Sequence, residues 1–232
     1  MSLQIQNLTL KYPGSPNFVF QDLSFELKEP GFNSLFGPSG VGKTSLAKIL
    51  TGDRRHFYGE EVDHEGMKTF LYSYNTERLP GWSGVGKHLE KITPAGRKER
   101  REELISIFGL EDCLRQRFSQ LSLGQQNRVN LLRYLLQDFD LLIMDESLAN
   151  VDELTREKII LWIKTLYSQR HFLYISHNVV EVSKFCREIV VLRSAERHPQ
   201  SIVVRGQDAR IDREIDRGRL DQTMLEIVNA SS

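Results

Sequence analysis

The segment Gly37-Pro38-Ser39-Gly40-Val41-Gly42-Lys43-Thr44 constrains this chain more than any other feature, because it fits the spacing G-x-x-x-x-G-K-[ST]. Such a run is more than a glycine-rich turn only when it leaves a strand and opens a helix. Both flanks qualify. Phe32 to Phe36 reads as a buried strand, and Lys43 to Leu50 carries Leu46, Ile49 and Leu50 at helical spacing, with Gly52 as a stop. Glycines let backbone N–H groups turn inward around phosphate oxygens, and a helix N-terminus adds positive potential. Gly37, Ser39, Gly40, Gly42, Lys43, Thr44 and Ser45 are therefore expected to cradle a phosphate-bearing ligand. Lys43 should reach its β- and γ-phosphates, and Thr44 should offer a hydroxyl to Mg²⁺.

A second run, Gly81-Trp82-Ser83-Gly84-Val85-Gly86-Lys87-His88, repeats the spacing up to its last residue. His88 cannot supply the hydroxyl, and Pro80 stands where a strand should end, so no second phosphate site is expected there. The partner of the first run is Leu141-Leu142-Ile143-Met144-Asp145-Glu146, an apolar strand ending in two carboxylates. Ligands of open α/β sheets bind at the carboxyl ends of the strands. Asp145 suits the Mg²⁺ shell, and Glu146 is placed to polarise an attacking water.

Further strands are expected at Leu3 to Leu10, at Phe18-Val19-Phe20 with Leu23 to Leu27, at Phe172 to Ser176 and at Ile189 to Leu192. A mostly helical stretch fills positions 83–137, and its charge run Lys98 to Glu103 reads as a solvated face. Strand–helix alternation of this kind implies an α/β fold with a parallel sheet. The last thirty residues are charge-dense and contain an amphipathic stretch around Leu220, Met224, Leu225 and Val228, read as a docked tail helix.

Composition narrows the function classes. Lysine and arginine balance aspartate and glutamate at 31 each, so the chain lacks the basic field of a dedicated nucleic-acid binder. Two cysteines, Cys113 and Cys186, are too few for a disulfide framework or a four-ligand zinc site. Met1 to Gln6 shows neither the basic nor the apolar region of a signal peptide, and no apolar run approaches the ~20 residues needed to span a bilayer. Work at a membrane would require other chains to do the spanning.

The discriminating segment is Leu121-Ser122-Leu123-Gly124-Gln125-Gln126-Asn127-Arg128-Val129. Ser122 and Gln125 have the S-x-x-Q spacing of a capping box, opening a helix that bears Val129, Leu132 and Leu136. This segment resembles the LSGGQ signature of ABC ATPases, and the other elements of that family follow in order. Tyr12 stands where an aromatic residue stacks on adenine, Asp152 matches the D-loop aspartate, and His177 matches the switch histidine that contacts the γ-phosphate. The resemblance covers roughly residues 3 to 193.

The resemblance implies a P-loop NTPase core of RecA-like type, with an N-terminal antiparallel β subdomain and a helical subdomain inserted at about 76–137. It implies one ATPase domain over 1–200, followed by a charged, partly helical tail over 201–232. It implies Mg²⁺-dependent ATP hydrolysis, with Glu146, His177 and Lys43 catalytic. Ser122, Gly124 and Gln125 would face the γ-phosphate held by a second copy, or a paralogue, in a head-to-tail dimer. The partners would be transmembrane permease subunits and, in an importer, a substrate-binding protein, at the cytoplasmic face of the cell membrane.

Non-transport ABC ATPases fit less well. The interval from Thr44 to Asp145 is too short for a long coiled-coil insertion, only one cassette is present, and the zinc-binding cysteines of the excision-repair type are missing. Glu77-Arg78-Leu79-Pro80-Gly81-Trp82 looks like the "RLLPW" segment of nitrate, sulfonate and taurine importers, shifted by a residue, which favours an importer; the alternative is an exporter or lipid-transport motor with separately encoded membrane subunits. Trp82 there either grips a partner helix or packs within the helical unit.

Two departures stand out. Leu123 replaces the first signature glycine, and the Q-loop glutamine is missing. Asn75 or Tyr74 occupies the expected place, and Asn75, taken as the Mg²⁺-sensing residue, keeps the amide but is one methylene shorter.

Overall fold

A computed structural model describes residues 2–52, 57–59, 62–63, 66–75, 77–79, 81–213 and 215–231; Met1 and Pro80 lie outside them. In chain order these residues form β1 (Leu3–Leu10), β2 (Phe20–Leu27), β3 (Gly31–Phe36), α1 (Lys43–Leu50), β4 (Phe57–Gly59), β5 (Val62–Asp63) and β6 (Phe70–Tyr74). There follow α2 (Val85–Ile92), α3 (Lys98–Ile107), α4 (Leu123–Leu135), β7 (Leu141–Asp145), α5 (Glu153–Leu166) and β8 (His171–Ile175). The chain ends in α6 (Val179–Phe185), β9 (Glu188–Leu192), β10 (Ser201–Arg205) and α7 (Arg217–Ser231).

The N-terminal strands build a small antiparallel sheet in the order β2-β1-β4, with β5 also pairing β1. In β1 the buried positions are Leu3, Ile5, Leu8 and Leu10, so the alternation changes phase midway. Asn7, at φ 50°, supplies the change: an extra residue in one strand shifts which side chains point inward. Asp22, at φ 56°, does the same in β2, and the pairing register shifts twice between the strands. The two strands expected at Phe18–Phe20 and Leu23–Leu27 are consequently one bent strand that starts at Phe20.

The larger sheet runs β10-β9-β3-β8-β7-β6, parallel throughout except for β10, which is antiparallel to β9. Its inner strands are apolar on both faces and divide their side chains by parity. Phe32, Leu142, Met144, Phe172, Tyr174, Ile189 and Val191 enter one core with α4, α5 and α6. Leu35, Leu141, Ile143, Leu173, Ile175, Val190 and Leu192 enter a second core with α1 and the antiparallel sheet. A continuous hydrophobic run such as Leu141 to Met144 is the sequence mark of a strand covered on both sides. β6 went unread in the sequence because Tyr72, Ser73 and Tyr74 are poorly apolar.

Helices α2 to α4 carry Val85, Leu89, Leu104, Ile107, Val129 and Leu132 into the first core. The tail is more integrated than a loose appendage. β10 completes the sheet edge, and α7 lies against α6, β9 and β10. Its buried face is Thr223, Ile227 and Ala230, whereas Leu225 and Val228 are 64% and 50% exposed, which corrects the expected stripe. Thr223 and Ala230 are small, so the helix seats closely on that side.

Candidate active site

The parallel register sets the site. Tyr74 pairs with Asp145, and Asp145 with Ile175, so three strands end level. The next residues, Asn75, Glu146 and the His177 segment, therefore emerge at one edge, beside the loop that follows β3. One cavity of about 870 Å³ opens there, lined by Ser39, Gly40, Gly42, Lys43, Thr44, Ser45, Asn75, Asp145, Glu146 and His177 among others.

Gly42 caps α1 from the left-handed region, at φ 104°, and brings no side chain to the first-turn amides. A Cβ at Gly42 would stand 2.6 Å from the side chains of both Phe20 and Val19, so any other residue would have to push these aside from a left-handed backbone position. With no side-chain cap, the first amides of α1 are left able to donate to an anion. Lys43 is 7% exposed, and its Nζ donates to the carbonyl oxygens of Gly37 at 2.7 Å and Pro38 at 2.9 Å. Burial pushes its ammonium below the ordinary lysine value, and the Asp145 and Glu146 carboxylates oppose that push.

Thr44 Oγ1 donates to Asp145 Oδ2 at 3.0 Å, and the Tyr72 hydroxyl donates to the same oxygen at 2.8 Å. Burial and that bond raise the Tyr72 phenol well above its usual range, so it stays a donor. Among the described residues no group of three or more His, Cys, Asp or Glu could hold a metal alone. Thr44 and Asp145 side by side nonetheless suit Mg²⁺, which is commonly bound by one or two protein oxygens plus substrate phosphates. The donor set therefore fits a magnesium–nucleotide pair.

Glu146 sits at φ 50°, a left-handed conformation that costs a non-glycine residue about 1–3 kcal/mol and recurs at functional positions. Its amide donates to Ile175 O at 3.1 Å, and its Oε1 lies 3.1 Å from His177 Nε2. His177 is held from behind: Asn178 caps α6, and its amide donates to Ser176 Oγ at 3.1 Å.

Other expected residues lie apart. Tyr12 is at the margin, its hydroxyl 2.8 Å from Ser45 Oγ. Asp152 caps α5, accepting from Thr155 N at 2.9 Å, and that bond holds its carboxyl below the usual range. Ser122 and Gln125 form the reciprocal capping box at 3.2 and 2.8 Å, outside the cavity. Trp82 is 83% exposed, which removes the reading that it packs inside the helical unit. Asn75 Oδ1 accepts from Asn127 Nδ2 at 2.8 Å, which ties this residue to α4.

Gly124 has a structural reason of its own. A Cβ there would overlap the Asn150 carbonyl oxygen, so the start of α4 rests directly on the β7–α5 loop. Gly124→Ala is expected to destabilise the fold by about 1–3 kcal/mol. ATP-analogue affinity of the monomeric chain should stay near parental, since Gly124 does not line the cavity of its own chain. Thermal unfolding beside a fluorescent-nucleotide titration checks both.

Comparison with known proteins identifies the family. A model described as "ABC transporter" matches residues 20–149, more than half of the chain. The chain belongs to the ABC transporter family. It is an ATP-binding subunit of that family of transport ATPases. It is similar to the taurine import ATP-binding protein TauB of Pelagibacter ubique, 32% identical over 75% of this chain and 71% of that protein. It also resembles the molybdenum import ATP-binding protein ModC of Brucella suis, 31% identical over 71% of this chain, but it spans about half, 51%, of that relative's length. Among solved structures, an inward-facing ABC transporter described as of metal-chelate type superposes with TM-score 0.70 at 18% identity, over 88% of this chain and 83% of that one. That likeness concerns the fold.

The ABC motifs were visible in the sequence, but Tyr72 and Asn127 were missed, and Tyr74 was read only as a candidate for the Q-loop position. Tyr72 and Tyr74 both line the cavity, and their i, i+2 spacing on a strand was the available signal. Asn127 gave none, since a buried amide on a helix looks like any other polar residue.

Proposed function

We propose that this chain is the motor of a transporter, hydrolysing Mg²⁺-bound ATP and passing dimer closure to separate membrane subunits. The observation that carries the reading is the split between two half-sites. Lys43, Thr44, Asp145, Glu146 and His177 converge on one cavity, while the capped start of α4, with Ser122, Gly124 and Gln125, stands outside it. A helix N-terminus set apart from its own chain's cavity suits a second copy's nucleotide, as head-to-tail pairing supplies.

In this reading the loop amides and Lys43 bind the phosphates, Tyr12 stacks on the base, and Thr44 and Asp145 hold Mg²⁺. When bound, Mg²⁺ neutralises charge on the phosphate oxygens. Glu146 accepts the proton of the attacking water, and His177, 3.1 Å away, orients that carboxylate and meets the γ-phosphate. Asp152 belongs to the loop that reaches the partner copy.

Import is the favoured direction, because the relatives named for taurine and molybdenum are import proteins and the 77–82 segment resembles that group. No helix among the described residues is long and apolar enough to cross a membrane, so the spanning falls to permease subunits, and the chain would sit peripherally on their cytoplasmic side. Trp82, exposed beside half-buried Leu79, suits a groove for a permease helix.

The test is reconstitution with the permease. ATPase activity should rise on docking, and Trp82→Ala should weaken docking by about 2 kcal/mol or more, as truncated aromatic hot spots do. Basal hydrolysis should be unchanged. Loss of basal activity together with stability would place the docking surface elsewhere.

A further inference from the structure

The polar groups along one side of α4 are aimed at the chain just after β6. Asn127 Nδ2 donates to Asn75 Oδ1 at 2.8 Å and to Ala149 O at 2.6 Å. Three residues on, Asn130 Nδ2 donates to Glu77 O at 2.9 Å. One turn further, Arg133 pairs with Glu77 Oε1 at 3.2 Å, and the Tyr134 hydroxyl donates to the same carboxylate at 2.9 Å. Positions i, i+3, i+6 and i+7 share a helix face, so these bonds form one ladder fastening Asn75 and Glu77 to α4. Asn127 is 3% exposed, so its bonds do not compete with water.

The chemistry of the two amides fixes their orientation. A backbone carbonyl only accepts, so the group that Asn127 presents to Ala149 must be its NH₂. The same NH₂ meets Asn75, which must therefore answer with its oxygen. Asn75 lines the cavity beside Asp145 and Glu146, and because the two branches of an amide diverge, an oxygen turned to α4 leaves the NH₂ as the branch directed away from that helix. An NH₂ cannot ligate a cation. It can donate to a phosphate oxygen or to the attacking water.

We propose that Asn75 serves the reaction as a hydrogen-bond donor rather than as a metal ligand, and that Asn127 is the positioning residue that sets this orientation. The inference rests on the reading of the cavity as the Mg²⁺–ATP site. Asn127 also ties the Ala149 carbonyl, and the Ala149 amide donates to Glu146 O at 2.9 Å. The amide of Asn127 thereby locks the donor and the backbone that carries Glu146 to the same helix. Asn75 N donates to Asp145 O at 3.2 Å, which closes the loop of contacts on the strand ends.

The test compares Asn75→Ala, Asn127→Leu and the double variant in the full chain. One assay titrates Mg²⁺ into a fluorescent ATP analogue, and a second measures kcat and KM at saturating Mg²⁺. For a donor, Asn75→Ala lowers kcat by about tenfold or more, as loss of a transition-state donor does, and leaves half-saturating Mg²⁺ within about twofold. Asn127→Leu, similar in volume but without an amide, gives a comparable loss of kcat, and the double variant is no worse than either, because the pair acts as a unit. A severalfold rise in half-saturating Mg²⁺ for Asn75→Ala overturns the donor role. Additive losses in the double variant overturn the positioning role. If Asn127→Leu fails to fold, Asn75→Ala decides the first point, and Asn127→Asp the second. That variant should present an acceptor to Asn75, turn its oxygen toward the cavity and lower half-saturating Mg²⁺; an unchanged value overturns the positioning role. If Lys43→Ala leaves analogue affinity intact, the fault lies in the reading of the cavity rather than in Asn75.

Discussion

Replacing Glu146 with glutamine should slow ATP turnover by about 10²–10⁴, the contribution typical of a general base, while leaving nucleotide affinity intact. The two side chains match in shape, so the left-handed backbone at φ 50° and its bond to Ile175 O are not disturbed. The amide oxygen can still accept from His177 Nε2, now 3.1 Å from the carboxylate. What is lost is the ability to take a proton from water. ATP would then hold two copies together without being consumed, so a dimer should accumulate with ATP and fail to form without it. Single-turnover hydrolysis and size-exclusion chromatography with and without ATP measure the two effects. Hydrolysis at the parental rate would remove Glu146 from the mechanism.

The ABC reading was available in the sequence because its motifs depend on local rules. A phosphate loop needs glycines and a lysine at fixed spacing, and Gly42 shows why, since the left-handed cap and the contact with Phe20 disfavour a side chain. The S-x-x-Q capping box is equally local, and its two bonds occur as the spacing requires. Long-range decisions were less legible. The bend at Asn7 and Asp22 merges two expected strands into one, and it follows from how β1 and β2 pair rather than from either stretch alone. The buried face of α7 was misread because Leu225 and Val228 are more apolar than Thr223 and Ala230, yet close seating on α6 and β10 favours the smaller pair.

Asn75 marks the boundary between the two kinds of information. Its position after β6 could be counted, and its amide invited comparison with the missing glutamine. Its orientation depends on Asn127, 52 residues away on another element. No local pattern carries that. Gly124 likewise reads as a signature glycine, while its tightest neighbour is the Asn150 carbonyl across the interface with the β7–α5 loop.

Lys43→Ala should weaken nucleotide binding about ten- to a hundredfold, the range for loss of a charge-assisted hydrogen bond worth about 1.5–3 kcal/mol. The site concentrates that effect. Lys43 is 7% exposed, and burial disfavours its charge, so an anion in the cavity gains a cation already stripped of most of its water. The same ammonium braces the loop through the carbonyls of Gly37 and Pro38, and alanine removes that brace together with the charge. Lys43→Met separates part of the two effects, because it keeps most of the buried stem and its packing while losing the cation. Both variants should fall alike in a fluorescent ATP-analogue titration, and thermal unfolding should stay closer to parental for methionine than for alanine. Affinity preserved in both would show that the phosphates are held elsewhere. Affinity lost only in alanine would assign the lysine to the shape of the loop rather than to the ligand.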